Sequence, residues 1–490
     1  MSNSNQTQQA SVYELEGRPP IKQALPMGLQ HVFAMFIGNL APILVIAGLA
    51  DAVTGAPVVT PEQRMLMLQC CMLASGLTTL IQLYPIKIGK VQIGAGLPIV
   101  MGTSFAFVPT MSSIGVQYGL GAILGAVMVG SLVEVLMGLF VKQIKKVISP
   151  IVIGSVLISI GLDLLPVGVT YFAGGAAAQS NFIAQQNLIA QGQEIPANVA
   201  ALASQFASWQ NLLMGSVVFL VIVILQRLAK GILKVSAIFI AIVIGYILAI
   251  LLGQVNFGAV ADAAFIAAPV PFTIRPEFHA GPMISMILIV IVSGIETMGH
   301  VNGMTSAVWN RRAFDKESQG AMMADAVGNI FAACLGSLPN TSFGQNIGIV
   351  CMTKAVNKFC LLITAGVLIL AGLSPKVGAV LSVMPSSVLG GAVITVFAMI
   401  MLNGIKIIAK EGFSDRNVLI FVLTFGVGYS IAGNAALVGR LPSAFAFIFG
   451  NATIAVCVIS ALLNLIFPKS AEEKAADEAK EEAEKVSQAG

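Results

Sequence analysis

In the run IVSGIETMGHVNG a glutamate and a histidine, Glu296 and His300, stand four residues apart within an otherwise apolar segment. That spacing puts both on one face of a helix. Removal from water disfavours the charged form of each, so such a pair can exchange a proton near neutral pH. The alternative is an internal pair that only packs helices. Asp325, in GAMMADAVGNIF, comes one apolar segment later, either as a third proton site or as a hydrogen-bond partner joining helices. His31, beside Gln30 in GLQHVFAMF, reads as a structural histidine tying helices together. Glu134 and Asp163 fall near segment ends or against neighbouring helices and are given no role, and His279 belongs to a loop.

A second stretch, SLPNTSFGQNIGIVCMTK, crowds amides and hydroxyls between two greasy segments. Gln345 offers two N–H donors and a carbonyl acceptor, and Asn346 can brace it or the adjacent backbone. A carboxylate, a carboxamide and freed backbone N–H groups suit a flat heterocycle with alternating donors and acceptors. Phe107, closing GTSFAF, is positioned to lie against its ring face. No nucleotide-binding loop or catalytic triad is present in the sequence, which argues against a primary pump, a receptor or an enzyme. Fewer than three acidic residues converge, which argues against a divalent-cation carrier. No cofactor or metal is expected, only a proton as coupling ion.

These polar groups need elements to position them, and composition names the kind. Only 10% of the 490 residues are charged and 57% are hydrophobic, against roughly 25% charged in soluble domains; the mean hydropathy is +0.90. Apolar runs such as VSAIFIAIVIGYILAILLG recur along the chain, and about 20 helical residues cross a bilayer core of about 30 Å. The reading is an all-α polytopic membrane protein with about 14 segments. With the N-terminus placed inside, 22 of the 26 Lys and Arg fall in inside loops and tails, leaving Arg64, Arg275, Lys376 and Arg440 outside. A miscounted span would destroy that asymmetry, so both termini are expected in the cytoplasm of a multi-pass cell-membrane protein. The net charge of +4 reflects the same bias and implies no nucleic-acid partner. Residues 1–23 form a polar tail without a signal-peptide core, and 469–490 a charged tail, a solvated helix or disordered. The six cysteines lack metal-ligand spacing and read as small packing residues.

Two segments are interrupted. QIGAGLPIVMGTSFAFVPT carries three glycines and a proline before Thr103, and the Gln345 stretch is the other. Backbone groups freed from a helix are not tolerated in hydrocarbon unless protein or substrate satisfies them. Paired breaks in two halves point to a transporter's binding site. The breaks fall in the third and tenth segments, each third in its half of seven. ISPIVIGSVLISIGL and MPSSVLGGAVITVFAMI echo one another in the fifth and twelfth. An odd number of spans per repeat inverts the second half, giving repeats over about 24–255 and 280–468. The stretch 170–208, without Lys, Arg or Asp, reads as an insertion.

These residues carry a resemblance. QNIGIVCMTK is similar to the signature of the nucleobase–ascorbate transporters, Gln/Glu-Asn-x-Gly-x-x-x-x-Thr-Lys/Arg, at every defined position. LQHVFAMF, GTSFAF, ETMGH and PSSVLGGA resemble further family segments, and the likeness covers about 24–468. It implies two inverted seven-span repeats, a core domain (spans 1–4 and 8–11) moving against a gate domain (spans 5–7 and 12–14), and a homodimer in lipid. It also implies short strands in spans 3 and 10 with substrate between them. Glu296 and Gln345 would hydrogen-bond the base and Phe107 would stack on it. Backbone around Ser104 and from Gly344 to Asn346 would contribute, and His300 and Asp325 would fall at proton-coupling positions. The purine-oxide branch has Gln at 345 and Asp at 300 and 325; the uracil branch has Glu at 345, His at 300 and no acid at 325. This chain mixes them, and Ala106 stands where similar xanthine carriers often have Asn. Weighting the substrate-contacting position, the expectation is a proton-coupled importer of xanthine or uric acid. Uracil symport is the alternative within transport, and an anion carrier or channel on the same fold is the alternative outside it.

Overall fold

The computed structural model describes residues 11–49, 57–141 and 149–468. The charged tail at 469–490, the start of the N-terminal tail and three of the basic residues expected inside, Lys142, Lys145 and Lys146, lie outside the described residues.

The first half opens with α1 (Ile21–Ala47) and α2 (Pro61–Leu83). Thr60 starts α2: its hydroxyl accepts from the Gln63 N–H while the Gln63 side chain caps Thr60, with proline at the first helical position. A hairpin of β1 (Ile86–Ile88) and β2 (Val91–Ile93) follows. Next come β3 (Met101–Thr103), a 3-10 turn over Phe105–Phe107, and α3 (Val108–Leu139). Gly119, at φ 83°, breaks α3 in two, because only glycine adopts that backbone freely. Then come α4 (Pro150–Phe172), α5 (Ala176–Ala190), α6 (Ala197–Ala203), α7 (Trp209–Leu228) and α8 (Ala237–Leu251). The stretch 170–208, expected as an insertion without assigned structure, therefore carries two helices; its alanines favour that conformation.

The second half comprises α9 (Ala280–Trp309), α10 (Asp315–Leu335), β4 (Asn340–Ser342) and α11 (Gly344–Thr353). It continues with α12 (Lys358–Gly372), α13 (Pro375–Ser382), α14 (Ser386–Glu411), α15 (Asp415–Leu423), a π-helical turn at Thr424–Tyr429, and α16 (Ala452–Ile466).

Among the described residues seven helices are long and apolar enough to cross a membrane, or eight if α12 and α13, bent by 81°, form one span. The 14 segments expected from sequence exceed this because the others are short, broken or polar. Helices α8 and α16 have 15 residues each and α11 has ten, and α10 carries Ser318, Asp325 and Asn329 on buried positions.

Helix α4 packs along α14, and α14 also meets α7 and α8. Small residues permit the α4–α14 approach: a Cβ at Gly154 would lie 2.4 Å from Ile408, and one at Gly161 2.6 Å from Met401. In lipid, where apolar side chains gain little by leaving their surroundings, such close backbone approach is what holds helices together. Elsewhere α12 packs on α2, and α3 packs on both α9 and α10. The two interrupted segments meet inside this second group. Strand β3 pairs antiparallel with β4, with Met101 opposite Ser342, Gly102 opposite Thr341 and Thr103 opposite Asn340.

Candidate functional site

Each strand of the β3–β4 pair runs into the start of a helix. After β4, Phe343 caps α11 without a side-chain hydrogen bond, so the first N–H groups of α11, at Gly344 and Gln345, have no partner within the helix. Gln345 itself is partly exposed at this end. After β3, Ser104 accepts a hydrogen bond from the Ala106 N–H at 3.2 Å, which starts the 3-10 turn. Such a helix start between broken segments presents backbone donors to a ligand.

Helix α9 lies across the pair and brings its polar face to β4. Glu296 Oε1 is 3.7 Å from His300 Nε2, each side chain a little under a quarter exposed. The other ring nitrogen, His300 Nδ1, is 3.2 Å from Ser342 Oγ on β4. Ser342 Oγ is in turn 3.1 Å from Thr297 Oγ1, and the Thr297 hydroxyl bonds to the Asp325 carboxylate on α10. Asp325 is fully buried and its second oxygen faces Gln82 Nε2 of α2 at 3.4 Å. His300, Ser342, Thr297 and Asp325 thus form one continuous hydrogen-bonded line, with the Glu296 carboxylate 3.7 Å beyond its imidazole end. Gly344 belongs to it by shape: a Cβ there would come within 2.8 Å of His300 Nε2, so only glycine lets α11 start beside the imidazole.

A second polar line braces the strands from behind. Asn39 Oδ1 on α1 accepts from the Thr103 N–H at 2.7 Å and from Ser75 of α2 at 3.1 Å. Ser75 Oγ also accepts from Asn340 Nδ2 at 3.2 Å, and Thr79 accepts from the Met101 N–H at 2.9 Å. Buried strand ends without water need such partners, since an unpaired buried N–H costs about 1–3 kcal/mol.

The structure therefore brings Glu296, His300, Asp325 and Gly344 together, with Gln345 at the adjacent helix start. Asn346 points away from that line: its Nδ2 donates to the backbone oxygen of His31 at 3.1 Å and lies 3.2 Å from the ring Nδ1. His31 and Gln30 are both buried, so His31 ties α1 to α11. Phe107 differs from its expected exposure to a ligand face: it is fully enclosed in the main apolar cluster, beside the buried Ala106. Its neighbour Phe105 sits edge-on against Phe397 of α14 at 5.3 Å. Among the described residues no group of three or more His, Cys, Asp or Glu could hold a metal ion. The reading of residue types missed Asn39, Ser75, Gln82, Thr297 and Asn329. Amides and hydroxyls inside apolar runs were the available signal, one diluted by the many Ser and Thr of spanning helices.

Comparison with known proteins adds the family. A model described as "Permease family" matches residues 22–199 and 193–436. The xanthine permease of Bacillus subtilis is 30% identical over 91% of this chain and 94% of its own length. A uric acid permease of the same organism is 30% identical over 90% of this chain and 92% of its own. In fold, the chain is similar to the transmembrane domain of a cyanobacterial bicarbonate transporter, with TM-score 0.55 at 16% identity, covering 91% of this chain and 96% of that one. The chain belongs to the nucleobase–ascorbate transporter family, membrane permeases rather than enzymes.

Proposed function

We propose that this permease imports an oxidised purine base, xanthine or uric acid, together with a proton. The observation that carries the reading is the juxtaposition of Glu296 and His300 with the free start of α11 at Gln345. A carboxyl, an amide and unpaired N–H groups alternate donors and acceptors around a flat ring, as a purine does. The names of the Bacillus relatives support the same substrate class. Gln345 rather than glutamate favours the purine over uracil. The Glu296 carboxylate repels anions, urate included, unless it is protonated, which weighs against a dedicated anion carrier.

Hydrogen counting along the line from Asp325 to Glu296 gives the proton step. With Asp325 ionised, Thr297 donates to it, Ser342 to Thr297, and His300 Nδ1–H to Ser342, leaving Nε2 as an acceptor facing Glu296. With Asp325 protonated every bond reverses: Asp325 donates to Thr297, Thr297 to Ser342, Ser342 to Nδ1, and the imidazole proton sits on Nε2, toward Glu296. Both orderings satisfy every bond, so a proton at Asp325 is reported at the base. A carboxylate beside a neutral base in low dielectric is costly. With the proton held on Asp325 the neutral imidazole turns its Nε2–H toward Glu296 and lowers that cost. Loss of the Asp325 proton to the other side withdraws this donor, weakens binding and releases the base.

On this reading the chain has 14 spans in two inverted repeats, about 24–255 and 280–468. The core spans (1–4 and 8–11) carry the β3–β4 pair as an elevator past the gate spans (5–7 and 12–14), in a homodimer in the cell membrane with both termini cytoplasmic. Its support is that the echoing segments, α4 and α14, pack on each other and that the two broken segments pair antiparallel. The test is uptake of labelled xanthine in proteoliposomes, with uric acid, uracil, guanine and hypoxanthine as competitors. Displacement by uric acid but not uracil is the expected result, and displacement by uracil alone would overturn the substrate assignment.

A further inference from the structure

Glu134, on the buried face of α3, is fully enclosed, with no exposed surface. Its Oε2 accepts one hydrogen bond, from Asn329 Nδ2 of α10 at 2.9 Å. Its Oε1 has no partner among the described residues. Asn329 Oδ1 accepts from the backbone N–H of Asn340, the first residue of β4, at 2.6 Å. The sense of this relay is forced. A backbone N–H can only donate, so Asn329 must present its oxygen to Asn340 and its NH₂ group to position 134, which must accept. Two residues along the same strand, Ser342 meets His300 and Thr297, and Gly344 and Gln345 follow.

We propose that Glu134 is a positioning residue for transport, fixing the amide of Asn329 and through it the register and height of β4 beneath the base. This rests on the reading that β4 forms part of the base site. A carboxyl is suited to the task because it accepts from Asn329 in either charge state. An apolar side chain would leave the Asn329 NH₂ unpaired in a closed interior and free the amide to rotate, and the Asn340 N–H would lose its acceptor. The effect belongs to substrate affinity and not to insertion or folding alone, because the relay ends on the strand.

The test is an exchange of hydrogen-bonding sense across the pair, read as KM for xanthine uptake at several pH values in proteoliposomes. Asn329→Asp alone sets two carboxyls face to face, which fit only when they share a proton. It should raise KM about tenfold at high pH, as expected for loss of one buried hydrogen bond, and recover as pH falls. Asn329→Asp combined with Glu134→Gln restores one acid and one amide in reversed order, with the glutamine now donating to the aspartate, which still accepts from Asn340. That double variant should return KM to within about threefold of wild type and remove the added pH dependence. The ionisable groups around the relay, Asp325 one turn away on α10 and Glu296 and His300 on α9, are present in every arm and cancel in the comparison. Glu134→Leu should raise KM like the single aspartate variant; should it fail to insert, the exchange pair still decides. Wild-type uptake separates the two readings. Absence of nucleobase uptake by the wild type defeats the substrate reading. Intact wild-type uptake with no rescue in the double variant, or an Asn329→Asp variant with unchanged KM and pH profile, overturns the role of Glu134.

Discussion

Gln345 differs from a glutamate only in offering N–H donors where the acid offers acceptors, which on the proposed reading makes it the side chain on which base selection turns. Gln345→Glu should weaken xanthine or uric acid uptake by about tenfold or more, since a pocket hydrogen bond to a charged or buried group is worth about 1.5–3 kcal/mol. Competition assays check this, and unchanged purine uptake would remove Gln345 from the pocket. Ser342 invites a separate experiment, because its hydroxyl bridges His300 and Thr297. Ser342→Ala should abolish the stimulation by an inward proton gradient while downhill exchange of xanthine persists at a lowered rate, since the two neutral hydrogen bonds it removes contribute only about 0.5–1.5 kcal/mol each. Gradient-driven accumulation that survives this change would route the proton elsewhere. Glu296, His300, Asp325 and Gln345 were legible in the sequence because ionisable groups and amides are costly in apolar runs and stand out. Ser342 stood in a conspicuous polar cluster but carried no sign of its role. Thr297, Ser75 and Asn39 carried only the diluted sign of a polar side chain in an apolar run, and their meaning comes from what the fold sets beside them.

At the scale of elements the site is a meeting of ends: two three-residue strands, each feeding a helix, with α9 laid across them. The breaks were readable from glycine and proline, which cannot continue a helix without loss. The pairing of Met101–Thr103 with Asn340–Ser342 was not, because three residues are too few for any alternation to show. Nor could periodicity show that Phe107 turns into the apolar cluster while Phe105 reaches Phe397 on α14. That edge-on contact joins the broken third segment to the helix group around α4 and α14. The close seat of α11 against α9 yields a paired prediction. Gly344→Ala places a methyl 2.8 Å from His300 Nε2, whereas Gly348→Ala, one turn on, meets nothing within 4 Å. Overpacking of this kind costs about 1–3 kcal/mol. The change at 344 should therefore lower xanthine uptake about tenfold, and the change at 348 should leave it near wild type, at matched levels in the membrane. Equal effects of the two would show that the imidazole is free to move aside and takes no fixed part in the site.

For the whole molecule, orientation governs the proposed import, because proton-coupled uptake requires the proton and the base to enter from the same side. The distribution of Lys and Arg is the physical handle: 22 against 4 on the proposed arrangement of spans. Basic loops near span ends resist translocation, so the richer side faces the cytoplasm. The loops concerned differ in character. Ala190 ends α5 at an exposed position in the stretch 170–208, which has no Lys, Arg or Asp. Arg312 is exposed in the turn between α9 and α10, where Arg311 pairs with Glu317 at 2.7 Å. An odd number of crossings must separate them if one is outside and the other inside, and that count runs through α7, α8 and α9. Helix α8, at 15 residues, is the weakest span by length. It must tilt little or thin the bilayer locally to cross. The prediction is that Ala190→Cys reacts with a membrane-impermeant thiol reagent added outside intact cells, and Arg312→Cys reacts only after the inner face is opened. Both are made in a version in which Cys70, Cys71, Cys334, Cys351, Cys360 and Cys457 are replaced. Labelling of both from the same side would mean that one of the three helices does not cross, and α8 would be the first to lose its place as a span. The inverted relation of the two halves would fall with it, since it requires seven crossings in the first.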